Sequence, residues 1–143
     1  MIQLPIARYH FTVNWGGTRV QFTEVSGLDI EIETILSRDG SSPVDNARKI
    51  PGLRKYANVV LKRGIEKGDN DFFNWINTKQ MSNIERRDIT IALLSDAHEP
   101  IVRWLLKNAF PVKYAGPVLT ATTSAIAIES LELTHEGISI VND

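Results

Sequence analysis

Residues 28–33 read Leu28-Asp29-Ile30-Glu31-Ile32-Glu33, apolar and acidic in unbroken alternation. A period of two belongs to a β-strand with one buried and one wetted face. Here the wetted face is all carboxylate. Acidic residues are poor strand formers, so propensity does not account for the choice. Two readings remain at this point. One is a solvated face kept soluble by charge. The other is a negative wall turned toward something that must not adhere to it.

Upstream, Tyr9, Phe11, Val13 and Trp15 alternate with His10, Thr12 and Asn14, a strand. Gly16-Gly17 suits the positive φ angles of a two-residue hairpin turn. The return strand points Val20 and Phe22 inward. It is interrupted at Ser26-Gly27, where a kink or bulge is expected, and then continues to about Ile35. Residues 36–52 read as a long loop, containing Asp39-Gly40-Ser41-Ser42-Pro43 and ending in Pro51-Gly52. A loop of that length in a compact domain is usually functional or disordered.

Strand pattern resumes over 54–63, centred on Val59, Val60 and Leu61. One helix is expected from about 70 to 79. Asp69 or Asn70 can cap it, Asp71 suits its dipole, and Phe72, Trp75 and Ile76 form one apolar stripe. Such a stripe reads as core packing rather than a ligand platform. Ile89, Ile91 and Leu93 mark a strand over 88–95, followed by the turn Ala97-His98-Glu99-Pro100. Residues 101–109 fit a strand or, with Pro100 at a first helical position, a short helix; the tight turn before them favours the strand. Residues 110–119 are extended but broken by Pro111 and Pro117. The last strand covers 124–134. Its apolar register shifts from Ile126 and Ile128 to Leu131 and Leu133, which predicts a bulge near Glu129-Ser130. The fold expected is mainly β: an antiparallel β-barrel or sandwich of about seven strands, one packed α-helix and a long loop.

At 143 residues the chain makes one domain with a sizeable core. Its net charge of −1 recruits neither nucleic acid nor a membrane surface. There are no cysteines, so disulfides and thiolate metal sites are excluded. The first residues lack the basic and apolar regions of a signal peptide. No stretch approaches the ~20 apolar residues that span a bilayer. Charge is unevenly placed. Residues 24–33 hold four acids and no base, whereas 46–63 hold Arg48, Lys49, Arg54, Lys55, Lys62 and Arg63 and no acid. Separate acidic and basic surfaces would make the molecule complementary to its own copies; ordinary solvated faces are the simpler reading.

Motifs for chemistry are few. On a strand His135 points opposite to Glu132 and Glu136, so the three do not converge on a metal. Ser26 lacks the elbow context of a hydrolase nucleophile. Gly64 and Gly68 do not make a phosphate loop. The basic run has Tyr56 as its one aromatic, thin for a single-strand stacking platform.

The order of features resembles the tube proteins of contractile phage tails. The resemblance rests on Phe22-Thr23-Glu24-Val25-Ser26-Gly27-Leu28-Asp29, and on Arg38-Asp39-Gly40 followed by Lys49-Ile50-Pro51-Gly52. It continues with Lys62-Arg63-Gly64 leading to Phe73-Asn74-Trp75-Ile76, then Arg87-Asp88-Ile89 and Asn108-Ala109-Phe110-Pro111. Ile128-Glu129-Ser130-Leu131-Glu132-Leu133 completes the series, which is collinear over nearly the whole chain. The same family includes the inner tubes of phage-like extracellular contractile injection systems.

The resemblance implies a non-enzymatic structural subunit without cofactor: a single tail-tube domain over 1–143 with a short arm at 1–7. Hexameric rings would stack into a hollow tube inside a contractile sheath. Its implied partners are further copies of itself, sheath protein, baseplate, spike and cap proteins, and cargo protein or DNA in the lumen, with no membrane insertion by this chain. It would be made in the bacterial cytoplasm and built into a phage tail or tail-like particle. Within that frame Asp29, Glu31 and Glu33 are expected to face the lumen. Arg38, Asp39, Asp45, Arg48 and Lys49 are expected in a ring-stacking loop, and Glu66, Asp69 and Asp71 on the sheath-facing surface. The rival readings are a monomeric β-barrel that binds an anionic ligand through 48–63, and a small hydrolase.

Overall fold

The computed structural model describes residues 10–17, 21–37, 48–77 and 84–142. Within them lie β1 (Phe11–Asn14), β2 (Phe22–Ser26), β3 (Ile30–Ser37), β4 (Arg48–Tyr56) and β5 (Val59–Gly64), then α1 (Asp71–Ile76). β6 (Arg87–Leu94), β7 (Pro100–Ala115), β8 (Ile128–Thr134) and β9 (Gly137–Asn142) follow. Seven strands form one antiparallel sheet in the order β1-β6-β7-β8-β5-β2, with β9 joined to β7; β3 and β4 pair apart from it. The mainly β, antiparallel class with one packed helix is as the sequence implies.

β7 turns the corner of this sheet. Its first part pairs with β6 and β9, and from Phe110 onward it pairs with β8. Asn108 sits at the change of partner with φ 50, a left-handed conformation that asparagine tolerates better than most residues. Asp88 Oδ1 accepts from its backbone N–H at 3.0 Å. The expected break at Pro111 is absent. Pro111 lies buried inside β7 opposite Leu133, and the pairing slips between Pro111 and Lys113 instead. A bulge is one place where a sheet accepts a residue without an N–H.

The core joins this sheet to α1. Trp15 packs edge-on against Phe72 at 4.9 Å between ring centroids and tilts against Trp75 at 5.8 Å. This corrects the hairpin expected at Gly16-Gly17. β1 pairs with β6 and β2 with β5, at opposite ends of the strand order. The second glycine makes room for the Trp15 ring, since a Cβ on Gly17 would stand 2.3 Å from it.

α1 is shorter than the helix expected over 70–79; residues 78 and 79 lie outside the described residues. Phe72 and Trp75 are buried as its stripe implied, and Ile76 is half-buried. Asn70 stands at the N-cap without a side-chain cap bond, and Asp69 Oδ1 instead accepts from Asp71 N–H at 3.1 Å.

The bulge expected at Glu129-Ser130 is also absent. β8 runs against β5 in one register, from Val59↔Leu133 to Gly64↔Ile128. The inward side chains are Glu129, Leu131 and Leu133, while Ile126 stays in solvent. Glu129 takes an inward position because Arg63, 1% exposed, lies opposite it and donates to Glu129 Oε1 at 2.8 Å. Arg63 also donates to Asp69 Oδ1 at 3.2 Å and lies 3.9 Å over the Phe72 ring. β9 is a strand the sequence reading did not anticipate.

Replacing Arg63 removes the positive partner and leaves Glu129 charged in the core. Arg63→Met should cost about 3–5 kcal/mol in urea denaturation. The double variant Arg63→Met/Glu129→Leu should recover part of that loss, because the deeper of the two carboxylates that the arginine meets is gone and Asp69 alone remains. A double variant no more stable than Arg63→Met would contradict this account.

Candidate assembly surface

β2–β5 and β3–β4 are two parts of one long ribbon. Ser26 pairs with Val60 below the junction and Ile30 with Tyr56 above it, and Ala57 N–H donates to Asp29 O between them at 3.3 Å. The kink expected at Gly27 is there. Its φ is +90, and a Cβ would stand 2.0 Å from Asn58 O, so only glycine fits. The strand expected over 54–63 is broken at the same level, at Ala57-Asn58. His135 Nε2 donates to Ala57 O at 3.1 Å and Asn58 Nδ2 to Glu132 at 3.3 Å, so β8 and the turn after it grip the junction.

Beyond the kink the ribbon leaves the seven-stranded sheet. Every residue of β3 is exposed, and most of β4. The face expected to be buried is therefore open in the protomer. Ile30, Ile32, Ile35, Leu36, Ile50 and Leu53 all stand in solvent, Ile32 at 55% and Leu53 at 78% exposure. A β-bulge in β4 shifts the register between Ile32↔Arg54 and Thr34↔Pro51. The loop expected over 36–52 is also shorter than its composition suggested. Leu36 and Ser37 end β3, and Arg48 to Gly52 already belong to β4.

The predicted functional residues distribute as follows. Asp29, Glu31 and Glu33 are exposed at the root and along one face of the ribbon. Lys55 lies directly across from Glu31, so the acidic face also carries a base. Arg48 and Lys49 pair with Ser37 and Leu36 as strand residues, not loop residues. Arg38, Asp39 and Asp45 lie outside the described residues. Glu66 is exposed and Asp71 half-buried. Asp69 does not remain outside as expected. Its side chain is 10% exposed and spent on Arg63 and on the start of α1.

The acidic and basic runs meet within the protomer. Lys62 pairs with Glu24 at 3.0 Å, Lys55 faces Glu31, and Arg63 is buried. That divides the basic run: Arg48, Lys49 and Arg54 stay exposed across from Ser37, Leu36 and Ile32, while the other three bases lie against acids. Among the described residues, no three His, Asp or Glu side chains gather as metal ligands. No helix among them is long and apolar enough to cross a membrane. Glu132 and Glu136 each have other partners: Asn58 for the first, Arg86 and Asn108 for the second. The Asn108 amide, with the Arg86 charge beside it, holds Glu136 below the usual carboxylate range.

The β3–β4 ribbon thus projects from the seven-stranded sheet with its aliphatic side chains uncovered in the protomer. The family model described as T4-like virus tail tube protein gp19 matches residues 7–139, and the chain belongs to that family. A chain of the anti-feeding prophage cap, the AFP tube-terminating cap, is 38% identical with a TM-score of 0.90, over 100% of this chain and 95% of that one. A chain of the PVC sheath-tube complex, from an extracellular contractile injection system in the extended state, is 36% identical with a TM-score of 0.89, over 99% and 95%. Hcp1 from Flavobacterium johnsoniae, 14% identical with a TM-score of 0.60 over 94% and 97%, shares the fold alone. A search of the curated proteins finds no match. The protein is a structural tail tube protein of the phage-tail and contractile-injection-system kind, not an enzyme.

The Tyr114 hydroxyl donates to Glu129 Oε2 at 2.7 Å. Burial, and then this bond to a carboxylate, push Tyr114 from 10.0 up to about 12. A raised acid favours the folded state while it is protonated. Its contribution is therefore whole below pH 10.0 and is lost as pH rises toward about 12. Thermal melts across that window should fall less steeply for Tyr114→Phe than for the wild type. Parallel alkaline limbs would contradict the assignment.

Proposed function

We propose that this chain is the repeating subunit of a hollow inner tube. Six copies close a ring, rings stack, and contraction of a surrounding sheath drives the tube forward with protein or DNA cargo in its lumen. The observation that carries this reading is the β3–β4 ribbon. A row of exposed aliphatics on a two-stranded ribbon is a liability in a monomer and a joint in an assembly. Burying such side chains against a neighbour contributes roughly 1.5–3 kcal/mol each where burial is complete.

The printed contexts of the relatives support the partners. Similar chains come from a sheath-tube complex, a tube-terminating cap and a baseplate. By that likeness the partners here are sheath, baseplate or spike, and cap proteins, and the chain is made in the bacterial cytoplasm before joining its particle. With the side of the ribbon that carries Ile30, Ile32 and Leu36 covered by a neighbour, Asp29, Glu31 and Glu33 face the lumen beside Ile35 and Ile50. Ring symmetry repeats them as an acidic band, tempered by Lys55, that disfavours adhesion of phosphate-rich or acidic cargo. Arg38, Asp39 and Asp45, with Arg48 and Lys49 of β4, are assigned to contacts between stacked rings. Glu66 and Asp71 lie on the sheath side, where exposed pairs contributing ~0–1 kcal/mol each can separate one after another during contraction.

Concentrated wild-type protein should form rings or tubes in negative-stain micrographs, and featureless monomers would contradict the proposal. Ile32 is solvent-exposed in the protomer, so Ile32→Asp should change protomer stability by only about 0.5 kcal/mol. The same variant should abolish tubes, and normal tubes from it would mean the ribbon is not the joint. Glu66→Lys/Asp71→Lys should still build tubes but recruit sheath poorly. Sheathed particles forming normally would remove those residues from the sheath contact.

A further inference from the structure

The β3–β4 ribbon joins the rest of the chain at one level. Its strands continue into β2 and β5, and both lose strand geometry on the way, at residues 27–29 and at Ala57-Asn58. Between the pairs Ser26↔Val60 and Ile30↔Tyr56 the backbone bond is Ala57 N–H to Asp29 O, long at 3.3 Å. Past this junction β3 and β4 form a two-stranded sheet of their own, with at most marginal contact to any other strand or to α1. The direction of the ribbon is therefore decided at its root.

What holds the root comes from the end of β8. His135 Nε2 donates to Ala57 O at 3.1 Å, and its ring tilts against Tyr56 at 5.5 Å between centroids. Asn58 Nδ2 donates to Glu132 at 3.3 Å, but that bond is exposed, where water competes for both groups. The other nitrogen of His135, Nδ1, is buried and makes no hydrogen bond with any described residue. A carbonyl only accepts, so Nε2 is the donor and Nδ1 is left without a partner. A buried polar atom in that state is a cost that an apolar ring packed on Tyr56 would avoid. What the imidazole supplies in return is the bond from Nε2 to the peptide at which the ribbon turns.

We infer that His135 is a positioning residue for assembly: it holds the ribbon in the direction in which a neighbouring copy receives it. The inference rests on the ring reading above and says what prepares the joint. A ribbon free to swing about Gly27 and Ala57 loses that freedom on joining a neighbour, and the loss counts against ring closure. A ribbon already held has little freedom left to lose. The bond is one of ordinary net strength, so without it roughly fivefold fewer ribbons are correctly aimed, and affinity for the next subunit falls in proportion.

The chain has no cysteine, so two spin labels can be placed without background. Leu53→Cys in the ribbon and Ser139→Cys on β9 are both exposed positions, and the Ile32→Asp protomer keeps the sample monomeric. Pulsed electron spin resonance should give one narrow distance distribution with His135. His135→Phe, which keeps a ring against Tyr56 but has no donor, should broaden it. His135→Gln, whose amide N–H replaces Nε2–H, should restore it. In the unlabelled chain with Ile32 intact, His135→Phe should need roughly fivefold more protein than wild type to form tubes, and His135→Gln about the wild-type amount. A narrow distribution from His135→Phe would overturn the inference, and so would tubes from it at the wild-type concentration. If His135→Phe does not fold, His135→Leu decides by the same two readouts. Wild-type tubes together with a narrow His135→Phe distribution would remove the latch and leave the ring reading standing. Absence of wild-type tubes would remove the ring reading and with it the assembly role of His135.

Discussion

Arg63 is a charged side chain with almost no access to water, and a guanidinium in that position must be met on every side. Glu129 meets it from β8, Asp69 from the entry to α1, and the Phe72 ring from the helix itself. Glu129 in turn takes the Tyr114 hydroxyl from β7. One cation therefore fixes the relation of three strands and the helix. A slip of one residue in β8 would turn Glu129 to solvent and leave the arginine opposite Ile128 or Ser130. A pair buried this deeply is weak evidence for stability, because desolvation offsets much of the attraction. Its effect here is on register and on where the helix begins.

That arrangement also explains what could be read in the chain and what could not. Alternation located β1, β6 and the core of β5, and the aromatic spacing of Phe72 and Trp75 located the helix, because in each case burial follows hydrophobicity. β8 breaks that link. Its inward set includes a glutamate, so a reading by apolar residues alone promoted Ile126 to the core and then required a bulge to reconcile it with Leu131. The hairpin at Gly16-Gly17 failed for a related reason. A glycine pair reports a need for space or for positive φ, and here the second glycine clears room for an indole. β7 was cut short because Pro111 looked like a terminator; a pairing slip within the strand absorbs it.

The candidate site was legible as pattern and hidden as geometry. The alternation from Leu28 to Glu33 correctly announced a strand with two chemically distinct faces. It implied that the apolar face is buried, which is not so within one protomer. The paradox resolves if burial is completed by another copy, an option that single-chain reasoning cannot display. Charge was the opposite case. The acidic and basic runs looked like two surfaces in sequence, yet the ribbon folds one against the other, with Lys62 on Glu24 and Lys55 across from Glu31. Part of the charge is thereby paired inside the protomer, while the ribbon keeps exposed aliphatics interleaved with Arg48, Lys49 and Arg54.

The central claim is that the ribbon beyond Gly27 is finished only by assembly. A cryo-EM reconstruction of tubes grown from the purified chain tests it most directly. The account predicts Ile30, Ile32 and Leu36 enclosed by an adjacent subunit, with Glu31 and Glu33 turned to the tube axis. A map in which those aliphatics remain in solvent, or in which the two glutamates lie on the outer wall, would contradict it.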